Sequence, residues 1–159
     1  MKLYGPINDE FALTFGRIIA AWGYLEAVLS EGTEGFYHNQ TMEMEGYLSA
    51  QLDYPRKRDL FKALCELQGT SEEFEPHIKE IERLNKIRGI VAHSYWTEGQ
   101  RPGAIKPLGV SGRRKMKYLG LEHNEKEWTV TELNLEAEAI MTEAKSFLRL
   151  LVHHGLAAE

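Results

Sequence analysis

Glu82-Arg83-Leu84-Asn85-Lys86-Ile87-Arg88-Gly89-Ile90-Val91-Ala92-His93 decides the fold, because it continues an apolar stripe and then sets a permanent cation on it. Upstream, Phe74, Ile78, Ile81 and Leu84 recur at steps of three or four, and Val91 and Tyr95 carry the series past Arg88. That spacing predicts a core-facing helix. Arg88 therefore stands where a leucine is expected. A guanidinium in such a place must meet a carboxylate, line a wet groove or face a second subunit. At about 100° and 1.5 Å per residue, His93 lies roughly 7.5 Å further along the axis and roughly 140° around it, so the two do not share a face.

Outward from this helix, Thr70 and Glu73 form a capping-box pattern that opens it, and the helix C-terminus favours a cation at His93. Before Gly69, which reads as a helix C-terminal stop, Leu60, Phe61, Leu64 and Leu67 have helical spacing after Arg56-Lys57-Arg58-Asp59. From Asp9 to Leu29, Phe11, Phe15, Ile18, Trp22, Leu25 and Leu29 step by four and three, which predicts a long amphipathic helix. Glu26 follows Trp22 by one turn beside that stripe. It is the carboxylate chosen to neutralise Arg88, with an ordinary boundary glutamate as the alternative.

Gly32 to Gly35 are expected to loosen the chain before a second helical stretch around Met42 to Leu52, which Pro55 interrupts. Beyond Trp96, glycines and prolines punctuate short segments such as Lys115 to Leu121 and Glu127 to Thr131, which read as small strands. Leu133, Ala137, Ile140, Ala144, Phe147 and Leu151 then predict a closing helix that begins near Thr131 or Asn134. The expected architecture is mainly α: a four- to five-helix up-and-down bundle, one domain over 1–159, with a small basic β-hairpin insert at about 99–131 before the last helix.

A hydrophobic content of 43% is enough for one compact core, and no stretch is expected to reach a membrane span, so the cytoplasm is the expected location. Cys65, beside Leu64 and Leu67, reads as a packed thiol. The six histidines have no metal-ligand spacing, so neither metal nor cofactor is expected. A formal charge of -5 argues against coating nucleic acid all over, yet Arg101, Lys106, Arg113, Arg114, Lys115 and Lys117 fall in the insert with no acid among them. They can draw a polyanion to one end of the molecule, or serve only as a solvated hairpin that discourages edge pairing.

An arginine followed after four intervening residues by a histidine, near the end of a long third helix, resembles the motif of the HEPN superfamily of small helical-bundle proteins. The resemblance covers most of the chain outside the insert. It implies a metal-independent endoribonuclease of toxin or defence type, RNA as substrate, a homodimer with both motif helices at the interface, and a cognate antitoxin. It implies catalytic roles for Arg88 and His93: the imidazole as base for a 2′-hydroxyl, the guanidinium as clamp on the phosphate. Asn85 would orient phosphate or imidazole, and Tyr95 would stack or donate a hydrogen bond. Gly89 departs from the pattern, since active relatives carry a polar residue straight after the arginine. A close helix crossing at Gly89 and Ala92 is one expected use of that glycine. The competing reading is a non-catalytic interaction or regulatory module with Arg88 as a structural ion pair.

Overall fold

The computed structural model describes residues 7–39, 52–110 and 126–158. In chain order these form α1 (Asp9–Asn39), α2 (Tyr54–Gln68), α3 (Ser71–His93), β1 (Ser94–Glu98), β2 (Ala104–Val110), β3 (Trp128–Thr129) and α4 (Val130–His153). The protein is mainly α, with a small antiparallel sheet of order β1-β2-β3 ahead of the closing helix. The stretch around Met42 to Leu52, expected to be helical, lies almost wholly outside the described residues, as does the strand expected from Lys115 to Leu121.

α1 is longer than its hydrophobic period suggests, because Gly32 and Gly35 do not loosen it. They are contact points. A Cβ at Gly32 would come within 2.6 Å of Leu151 Cδ2, and one at Gly35 would overlap the Leu156 carbonyl, so they let the end of α4 and the residues just past it lie directly on α1. Contrary to the expectation from sequence, Asp9–His38 is long and apolar enough to cross a membrane by length and composition. Its Phe11, Ile18, Trp22, Leu25 and Leu29 face is packed into the core.

The other helix ends follow from local chemistry. Asp53 caps α2 by accepting from the Arg56 N–H at 3.2 Å, with Pro55 in the first turn, where a missing N–H is harmless. Pro55 thus starts a helix. Gly69 ends it in the left-handed conformation, φ 71°. The capping box expected at Thr70 does not form, because that hydroxyl turns back to the Cys65 carbonyl at 3.5 Å. A capping box does form at α4: Thr129 accepts from the Glu132 N–H at 3.2 Å while Glu132 accepts from the Thr129 N–H at 2.8 Å.

Phe74, Ile78, Ile81, Leu84 and Val91 are buried along α3, and Leu133, Ala137, Ile140, Ala144, Phe147 and Leu151 along α4, as the periodicity predicts. Phe61, Phe74 and Phe147 meet edge to face at their centre. Leu67 is a correction: it is 77% exposed, because the inward face of α2 runs through Phe61, Leu64 and Cys65. Burial pushes the Cys65 thiol up to about 11. The sheet also begins earlier than expected. α3 passes straight into β1 at Ser94, which takes Tyr95 off the helical stripe.

Candidate functional site

Arg88 is half-buried at its stripe position, and what lies beneath it is an indole. Its guanidinium carbon sits 5.6 Å from the Trp22 ring centroid. A cation over an aromatic face gains roughly 0.5–2 kcal/mol without consuming its N–H donors. Among the described residues Arg88 has no ion pair and no side-chain hydrogen bond, so the edge of the guanidinium remains uncommitted.

Glu26 does not neutralise it. The Trp22 indole N–H donates to Glu26 Oε2 at 3.1 Å, and Lys57 Nζ donates to Glu26 Oε1 at 3.2 Å. Both carboxylate oxygens are thereby engaged. Lys57 is 7% exposed, rare for a lysine and tolerable only because the carboxylate meets it. Sequence reasoning missed Lys57, although the signal was present: Tyr54, Lys57, Phe61 and Leu64 step by three, four and three, which sets a cation on the inward face of α2 as surely as Arg88 sits on that of α3.

Tyr54 closes the cluster, its ring edge-on to Trp22 with centroids 5.0 Å apart. Its hydroxyl is buried without a hydrogen-bond partner among the described residues, and burial pushes it up to about 12. Arg58 lies 6.0 Å from the Tyr54 ring centroid but is committed to Asp59 at 2.6 Å and Glu82 at 3.4 Å. Arg83, on α3 like Arg88, is held by Glu80 at 2.8 Å and Glu136 at 3.1 Å. Arg88 is thus distinguished from these neighbouring cations by having no carboxylate partner among the described residues.

His93 is exposed at the last position of α3, where the following Ser94 N–H caps the Ile90 carbonyl. Arg88 and His93 therefore occupy different faces within one chain. Asn85 is half-buried one turn before Arg88 and on its side of the helix. Tyr95 lies on β1, and only its backbone is described. Near this end the Ser94 hydroxyl and the Trp96 indole N–H are buried without hydrogen-bond partners among the described residues. Gly89 and Ala92 make no close crossing among the described residues: a Cβ at Gly89 would meet none of their atoms within 4 Å, and Ala92 is exposed.

In the insert, Arg101 is a structural tie. Its guanidinium reaches Glu132 at 2.8 Å and the Glu127 carbonyl at 2.6 Å, while Glu127 accepts the backbone N–H groups of Gln100 and Arg101 at 2.7 and 2.8 Å. Lys106 is half-buried on β2; Arg113, Arg114, Lys115 and Lys117 lie outside the described residues.

Two histidines pin α3 to α4. His77 Nδ1 meets Glu143 Oε1 at 2.6 Å, and His154 Nε2 meets Glu73 Oε2 at 2.9 Å. Among the described residues no group of three or more His, Cys, Asp or Glu is placed to hold a metal ion. No family model, curated protein or solved structure matches this chain.

Proposed function

We propose that this chain is a HEPN-like RNA-contacting domain, working as a homodimer, in which Arg88 grips an RNA phosphate and His93 serves as proton acceptor in a metal-independent cleavage. The observation that supports it most is the half-buried Arg88 guanidinium, steadied on Trp22 and free of any carboxylate among the described residues. Guanidinium keeps its charge at every working pH and matches two phosphate oxygens in a fork.

In this reading His93 takes the proton of a ribose 2′-hydroxyl, and the oxygen attacks the adjacent phosphorus. A bond from 2′-oxygen to phosphorus forms and the bond from phosphorus to 5′-oxygen breaks. The departing oxygen collects a proton from water or from the second histidine, leaving a 2′,3′-cyclic phosphate. Arg88 neutralises the charge that builds on the equatorial oxygens. The angular separation of the pair favours a composite site, with Arg88 of one copy beside His93 of the other, and the open face at Gly89 and Ala92 leaves room for the second helix. A toxin or defence role, a cognate antitoxin and a cytoplasmic location belong to the same proposal.

Gly89 favours a second reading, RNA binding or regulation without cleavage, since no polar side chain stands next to Arg88. Incubation of single-stranded RNA with the protein in EDTA separates the two. Cleavage that is lost in both Arg88→Ala and His93→Ala, with the melting temperature of His93→Ala unchanged, supports the enzyme. RNA that is bound and left intact supports the second reading.

A further inference from the structure

We infer that Lys57 keeps Arg88 open to an external anion by holding Glu26 away from it. This rests on the reading of Arg88 as the anion contact. One carboxylate and two stripe cations meet around a single indole: Glu26 at the N–H edge of Trp22, Arg88 over its face, and Lys57 on the far oxygen of Glu26. Glu26 is partly buried, and so needs a cation. With Lys57 present, that need is met from α2. Without it, Glu26 would keep only the indole hydrogen bond, and the cation on the same ring that has no carboxylate among the described residues is Arg88.

The neighbouring cations cannot substitute, because Arg58 is already held by Asp59 and Glu82, and Arg83 by Glu80 and Glu136. An apolar side chain at position 57 would also fill its buried place without desolvating a charge, so the ammonium is better explained by what it does to Glu26 than by stability alone. Lys57 is a positioning residue: it touches no ligand and acts through Glu26 on the availability of Arg88.

The test follows the Arg88 Nε–Hε resonance by nitrogen-15 NMR, with inorganic phosphate as the probe. Lys57→Met is expected to move that resonance and slow rotation of the guanidinium, as a new carboxylate contact does, and to weaken the phosphate response about tenfold, the size of a typical close charge pair. Glu26→Gln combined with Lys57→Met is expected to restore both. Lys57→Gln replaces Lys57→Met if the latter does not fold. An Arg88 resonance that stays in place when Lys57 is replaced overturns the role of Lys57. A resonance that moves as expected, with no phosphate response even in the parent protein, leaves that role standing and overturns Arg88 as the anion contact.

Discussion

Lys57 Nζ lies 3.2 Å from Glu26 Oε1, the two side chains 8% and 24% exposed, so the carboxylate of α1 is paired with α2 through Lys57 and not with α3 through Arg88. Removing one partner of a buried pair leaves the other without compensation, whereas removing both can be nearly neutral. Lys57→Met is therefore expected to lower the unfolding free energy, by less than the roughly 3–5 kcal/mol of a buried charge left wholly uncompensated because the Arg88 guanidinium takes up Glu26, and Glu26→Gln added to it to recover most of the loss. Urea unfolding of the two single variants and the double variant measures the coupling. Simple additivity would contradict it.

Two helical glycines should respond oppositely to alanine. At Gly35 the new methyl group meets the Leu156 backbone, and overpacking should cost about 2 kcal/mol despite the better helix propensity. At Gly89 no described residue comes within 4 Å of a new methyl group, so Gly89→Ala should gain about 0.5–1 kcal/mol when unfolding is followed at concentrations where the chain is monomeric.

Acid stability should depend on Glu132. The Arg101 guanidinium, followed by the Thr129 N–H, holds its carboxyl down at about 2, against an ordinary value of 4.5. A carboxylate whose folded value is depressed stabilises the fold above its unfolded value, and that contribution is lost as pH falls from about 4.5 towards about 2. Glu132→Gln should flatten the pH dependence of the urea midpoint in that window. A parallel pair of curves would contradict the assignment.

Within the insert the cations should separate by role. Arg101→Ala should lower stability through loss of its ties to Glu127 and Glu132, with little change in the salt dependence of RNA binding. Charge reversal at Arg113, Arg114 and Lys115 should weaken RNA binding and flatten that salt dependence. Affinity measured across a salt series distinguishes them.

The helical framework was legible because burial repeats at 3.6 residues. Every stripe residue named on α4 is buried, and so are the stripe positions of α3 on either side of Arg88. Tertiary facts were less legible. The glycines at 32 and 35 read as breaks because sequence does not reveal that Leu151 and Leu156 lie against them. Thr70 and Thr129 both carry the capping pattern, and only at Thr129 does the chain ahead of the helix arrive extended, with the hydroxyl turned to the helix. Around Trp22, the sequence offered one carboxylate to two cations. Which of them receives it depends on how α2 packs against α1, and no periodicity encodes that.

The most direct test of the central claim compares single-stranded RNA affinity in Arg88→Ala and Arg83→Ala, two equal losses of charge on the same helix. Arg83 is already occupied by Glu80 and Glu136, whereas Arg88 has no carboxylate partner among the described residues. Arg88→Ala is expected to lose about tenfold or more in affinity and Arg83→Ala to change within about twofold. Equal affinities in the two variants would contradict it.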